Sequence, residues 1–309
     1  MKLLCIDFSN LVIRHASNPY GGHKDLVGRP VWGATGALAQ VLRLIDQHRP
    51  THLLIARDCK RDETWRRELS DAYKEHRPDA DEDLTRQFTL AYRAVEMFGW
   101  PCVMMPRYEA DDVIASAAHA FDGHVAIVTG DRDLLALCSD TVTVWLFRPG
   151  GPEAMNAAGC QRLYGVEPRQ VRDYKALVGD KSDGIAGVDG IGPKGAVKLL
   201  SAFGSVAGIY RRLDKHGDLG DAATAHVQRK LAEGREQARL SWQLAGLVSN
   251  LDVNIDQLKL GPRPTWKQHG DALSQLGLHD MEKALTGAKT SAQKGPVDME
   301  AVFQQLTLS

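Results

Sequence analysis

The sequence predicts an α/β chain: a mostly parallel sheet with flanking helices, followed by an all-helical region. Three observations carry this. Short apolar, β-branched runs alternate with amphipathic stretches through the first half of the chain. Acidic residues recur directly after those runs. Beyond about residue 163 the strand-like runs give way to helical patterns joined by Gly-rich turns.

Taken in order, strands are expected at residues 3–6, 52–56, 102–105, 125–129 and 142–147, with helices at 36–47, 90–98 and 111–121 between them. Asp7 follows the first strand and Asp58 the second. Glu109, Asp111 and Asp112 follow the third, and Asp131 and Asp133 the fourth. In an open α/β sheet the carboxyl ends of the strands form the ligand crevice. A solvated loop acid or a helix cap explains any one of these residues but not the delivery of acids from four strands to one edge. Glu109, Asp111 and Asp112 also crowd the first turn of one helix. The helix dipole favours one acid there, but three repel one another unless a cation offsets the charge. Hard divalent cations take carboxylate oxygens, and this many acids need more than one.

Residues 57–77 have another texture. Arg57, Lys60, Arg61, Arg66, Arg67, Lys74 and Arg77 are interleaved with Trp65 and Tyr73. Such a pattern suits a nucleic-acid strand, with phosphates on the cations and bases on the rings. A surface helix laced by Glu63–Arg67 and Asp62–Arg66 pairs is the alternative. The acids at 79–83 read as a solvated bend after Pro78. A helix is expected at 168–178, ending at a further carboxylate pair, Asp180 and Asp183. A Gly-rich loop with Gly190, Gly192 and Lys194 then opens a helix at 193–203, either a natural phosphate seat or a structural turn between packed helices. No Gly-Lys-Ser/Thr closes that loop, so it is not a P-loop. Helices are expected within 222–248, 262–278 and 280–285, and a Gly/Ala/Ser/Lys/Pro linker begins at 286.

Composition bounds the class. The chain has 309 residues, 43% hydrophobic and 25% charged, so two globular domains are expected. Five scattered cysteines without a C-x-x-C pair argue against a disulfide framework or zinc site and fit a reducing cytoplasm. No run of about 18 apolar residues occurs, so no membrane span is expected. The net charge of −1 neither favours nor opposes nucleic acid.

Five blocks in order resemble the flap endonuclease family, which includes the 5′-nuclease domain of bacterial DNA polymerase I and phage 5′ exonucleases. They are IDFSNLVIR, RDCKRDETWRRELSDAYKEHR, YEADDVIASAA, VTGDRDLLALCSD and YGVEPRQVRDYKALVGDKSDGIAGVDGIGPKGAVKLL. The match covers roughly residues 1–250. Two departures stand out: Arg57 replaces a frequent aromatic, and Trp65 replaces the usual Phe. The resemblance implies a PIN-like nuclease domain at 1–165 with a helical arch at about 60–90. It also implies a helix–three-turn–helix DNA-binding domain at 166–285 and a linker and tail at 286–309.

The activity implied is two-metal hydrolysis of DNA with Mg2+ or Mn2+, as 5′→3′ exonuclease and 5′-flap endonuclease in replication and repair, leaving a 5′-phosphate and a 3′-hydroxyl. Asp7, Asp58, Glu109, Asp111, Asp112, Asp131, Asp133, Asp180 and Asp183 would hold the metals directly or through water. Lys74 and Arg77 would meet the scissile phosphate, with Arg66 and Tyr73 as further substrate contacts, Tyr73 by stacking on the terminal base. Gly190, Gly192 and Lys194 would grip the duplex, with a K+ at that loop. The partner is DNA with 5′ flaps, nicks or 5′ ends, bound by a cytoplasmic monomer. A PIN-like ribonuclease and a non-catalytic, structure-specific DNA-binding protein are the alternatives. Gln305, Leu306, Thr307 and Leu308 resemble the start of a sliding-clamp binding peptide without its final aromatic. A terminal amphipathic turn packing on its own domain is the other reading of that tail.

Overall fold

The structure, a computed structural model, describes residues 1–18, 22–148 and 151–286. The clamp-like tail at 305–308 lies outside them. Six strands form one sheet: β1 (Lys2–Asp7), β2 (His52–Arg57), β3 (Cys102–Met104), β4 (His124–Thr129), β5 (Val142–Arg148) and β6 (Gly151–Met155). Their order is β3-β2-β1-β4-β5-β6, all parallel except the β5–β6 pair. The five expected strands are present. β6 was not expected, because Pro152 and flanking glycine read as a turn; an edge strand tolerates that proline.

Helices α1 (Phe8–Ala16), α2 (Trp32–His48), α3 (Trp65–Leu69), α4 (Glu82–Met97), α5 (Ala110–Ala120) and α6 (Ala157–Tyr164) accompany the sheet. The strand pleat sorts the core. Leu4 and Ile6 of β1 face α1, α2 and α4, while Leu3 and Cys5 face α5. All four are 0–1% exposed, each removal from water contributing about 1.5–3 kcal/mol for the larger side chains. α4 begins eight residues before the expected helix at 90. Asp81 caps it through a bond from the Leu84 amide, so the acids expected as a bend start a helix. The segment expected as an arch is built of short pieces: a 3₁₀ turn (Arg61–Glu63), α3, turns through residues 71–76, and the start of α4.

The helical region comprises α7 (Val171–Val178), α8 (Pro193–Phe203), α9 (Val206–His216), α10 (Ala225–Glu233) and α11 (Arg235–Leu244), around a core that includes Leu177, Leu199, Ile209 and Leu231. Beyond α11 the chain returns to the sheet. Val253 and Leu258 join the α5-side core, and α12 (Trp266–Gln275) and α13 (Met281–Thr286) pack on the opposite side through Leu273, Leu278, Met281 and Leu285. The last segment of the expected unit at 166–285 thus buries its apolar face against the sheet.

Candidate active site

Strand order reverses between β1 and β4, and the crevice at their carboxyl ends is where a doubly wound sheet holds its ligand. Asp7 ends β1, 7% exposed, and accepts bonds from the Asn10 amide (3.2 Å) and the Thr129 hydroxyl (2.8 Å). The same hydroxyl accepts the Asp131 amide at 2.9 Å, so one threonine at the end of β4 orients both acids. Asp58, after β2, accepts the Ala110 amide at 2.9 Å, and Asp111 lies in the first turn of α5. These carboxylates repel one another. Burial, then Asp58, raises Asp7 to about 7. Burial, then Asp131 and Asp7, raises Asp111 well above the carboxylate range.

A second group adjoins the first. Oxygens of Asp133, Asp180 and Asp183 lie within 4.8 Å of one another. Burial and Asp131 raise Asp133 to about 7, and burial raises Asp183, whose carboxylate accepts Arg77 at 2.5 Å. Lys175, 5% exposed on α7, pairs with Asp133 and donates to Asp180 at 2.6 Å. Burial works against its charge, but the two aspartates more than offset that and hold it above the ordinary lysine range. Lys175 was not anticipated as a site residue. A lysine in a predicted amphipathic helix reads as solvated, and only tertiary packing turns it inward. Thr129 escaped notice because it reads as the last residue of a strand, and its hydroxyl's partners lie partly on another strand. The donor set fits hard divalent cations: oxygen only, partly buried, and crowded beyond what its own charges favour.

Other expected site residues are placed differently. Asp112, fully buried, accepts both outer nitrogens of Arg66 (2.7 and 2.8 Å), the Val248 amide and the Glu109 amide. It is a structural carboxylate with no oxygen facing the crevice, which corrects its expected role as a metal ligand. Arg66 is equally internal, so it is not positioned to touch substrate. Tyr73 is 2% exposed between Ile185 and Leu244, and its hydroxyl donates to Glu109 at 2.8 Å. That burial removes its ring as a stacking platform.

Glu109 also accepts Lys74 at 2.6 Å; burial works against its charge, but Lys74 and Arg66 hold its carboxyl below the usual range. Lys74 and Arg77 thus stand at the crevice, each paired with an acid. Gly190, Gly192 and Lys194 lie exposed at the start of α8, away from these contacts.

Residues 2–165 match the family model described as 5′-3′ exonuclease, N-terminal resolvase-like domain, and residues 166–267 match its C-terminal SAM fold. The chain belongs to the 5′-3′ exonuclease family. A 5′-3′ exonuclease of Aquifex aeolicus is 32% identical over 262 residues, covering 83% of this chain and 86% of that protein. DNA polymerase I of Pseudomonas aeruginosa is 35% identical over 267 residues, 84% of this chain but only 29% of the polymerase. Among solved structures, T5 5′-exonuclease with bound zinc superposes with a TM-score of 0.66 at 20% identity, covering 92% of this chain and all of that one. The catalytic core of Rad2 with DNA substrate gives 0.57 at 16% identity, over 93% of this chain and 92% of that core. At these identities the two structures speak to the fold. As a family member, the chain is a 5′-nuclease.

Proposed function

We propose that the chain is a structure-specific 5′-nuclease that hydrolyses DNA at 5′ ends and flaps with two divalent cations, Mg2+ or Mn2+. The observation that carries this is the pair of adjoining acidic groups, coupled through Asp131, whose charge is self-repelling without cations. In this reading Asp7, Asp58, Asp111 and Asp131 would hold one ion and Asp133, Asp180 and Asp183 the other, while Glu109, occupied by Arg66, Tyr73 and Lys74, would meet a metal only through water. Bound there, such cations neutralise a phosphodiester and ease deprotonation of the attacking water.

The protein's own groups do the rest. Thr129 keeps the Asp7 carboxylate aimed into the crevice. Arg77 exchanges Asp183 for an oxygen of the scissile phosphate, and Lys74, with three donors, keeps Glu109 while donating to another, so that both stabilise the charge that develops on it. Amides at the start of α8, with Lys194, take duplex phosphates, and carbonyls of the same loop would hold a K+, so recognition follows DNA shape and not base sequence. Structural neighbours of the same fold have been solved with divalent metal and with DNA substrate, which is consistent with this reading.

Cleavage of a 5′-labelled flap in Mg2+ tests it, beside an EDTA control and Asp131→Asn. Wild-type protein is expected to cut near the flap junction and leave a 5′-phosphate, with both controls silent. Folded wild-type protein that binds the flap but never cuts it in Mg2+ or Mn2+ would overturn the assignment.

A further inference from the structure

Arg66 sits on the five-residue helix α3, yet its side chain is 3% exposed and all five of its donors are engaged inside the protein. One outer nitrogen donates to Glu109 (2.9 Å) and Asp112 (2.7 Å), and the other to Asp112 (2.8 Å) and the Gly246 carbonyl (2.6 Å). The inner nitrogen donates to the Leu244 carbonyl at 3.0 Å. The Trp65 ring lies 4.6 Å from the guanidinium. Leu244 and Gly246 stand at the end of α11, the negative pole of that helix, and α11 packs on α7, the helix that carries Lys175. Asp112 repeats the tie by accepting the Val248 amide.

The chain of contacts continues into the crevice. Glu109 receives Arg66 and the Tyr73 hydroxyl on one oxygen and the Lys74 ammonium on the other. Where Lys74 stands is therefore set by Glu109, and where Glu109 stands is set by Arg66.

We propose that Arg66 is a positioning residue for cleavage: it holds Glu109, and through it Lys74, in register with the end of α11, so that one guanidinium aligns the helical unit with the acidic crevice. The proposal rests on the nuclease reading above. A lysine in its place keeps the charge but offers a point donor in place of a planar fork and cannot span Asp112, Glu109 and two carbonyls at once.

A double-mutant cycle tests it, with Arg66→Lys, Glu109→Gln and the double variant compared in steady-state turnover of 5′-flap DNA. Arg66→Lys is expected to lower kcat about 100-fold with KM within about 3-fold of wild type, since misplacing a charge near the reacting atoms has that size of effect. Because Arg66 acts through Glu109, the double variant is expected to match the worse single variant. A merely structural arginine would give a loss that tracks the unfolded fraction and multiplies with the Glu109→Gln loss. A folded Arg66→Lys protein with wild-type kcat, or multiplicative losses, would overturn the proposal. Should Arg66→Lys fail to fold, Asp112→Asn, which loosens one side of the fork, replaces it, with the same split between kcat and KM expected and an unchanged kcat fatal. If wild-type protein cuts nothing, the nuclease reading fails separately. Melting temperatures of the same cycle then decide, non-additive shifts supporting the Arg66–Glu109 tie and additive ones ending it.

Discussion

A lysine buried between two aspartates makes sense only where its charge is needed. Lys175 neutralises Asp133 and Asp180 from within, so the second acidic group is partly balanced before any divalent cation arrives. Lys175→Met is expected to lower stability in EDTA by on the order of 3 kcal/mol, the usual cost of stranding buried charge. Mn2+ is expected to restore more stability to the variant than it adds to wild type, because the ion no longer displaces an ammonium. Thermal melts with and without Mn2+ check this, and a variant that melts at the wild-type temperature in EDTA would contradict it.

Asp7, Asp58 and Asp131 were legible in the sequence because each follows a strand, and strand ends share an edge. Asp112 was not separable from Asp111: one residue step around α5 turns one carboxylate to the crevice and the other to Arg66. Tyr73 and Arg66 carry the residue types of a nucleic-acid contact, and nothing local in sequence reveals their burial.

The turn at residues 71–77 and the loop at 180–187 behave as one element. The Lys74 amide donates to the Asp183 carbonyl at 2.9 Å, with Lys74 itself in the left-handed region at φ +53°. Gly184, at φ +70°, lets the two backbones touch; a Cβ there would lie 2.1 Å from the Ala72 carbonyl oxygen. Gly184→Ala is therefore expected to cost about 2 kcal/mol or more and to lower flap cleavage, since Lys74 and Arg77 move with the turn. Chemical denaturation and single-turnover rates measure both effects, and a variant with wild-type stability and rate would show that the approach is not tight. Helix α8 was predictable to the residue, from Pro193 at its first position and glycine after Phe203. The 60–90 segment was not, because its conformation is imposed by Arg77, Lys74 and Arg66 reaching acids distant in sequence.

On the scale of the whole molecule, a net charge of −1 conceals a concentrated negative crevice. Asp7 and Asp133, both raised to about 7, bind protons more tightly folded than unfolded. Their protonated forms stabilise the fold fully below the ordinary carboxylate value, and this contribution is lost as pH rises through about 7. Glu109 and Asp180 are shifted downward by their cationic partners and act oppositely, losing their contribution only in acid below the ordinary carboxylate range. In EDTA the melting temperature is therefore expected to fall between about pH 5 and pH 8, and 10 mM-scale Mg2+ is expected to flatten that decline, on the order of a few degrees. A metal-free protein whose stability rises over the same window would contradict the crowding of these acids.

The pairing of fold and site followed from one regularity, acids after strands. The return of α12 and α13 to the sheet did not, because an amphipathic helix does not announce which core receives it. The most direct measurement is Mn2+ binding at equilibrium to wild-type protein, Asp7→Asn and Asp183→Asn, counted by titration. Two ions are expected for wild type and one for each variant. No binding, or a count that neither substitution changes, would contradict the division of the crevice into two cation sites.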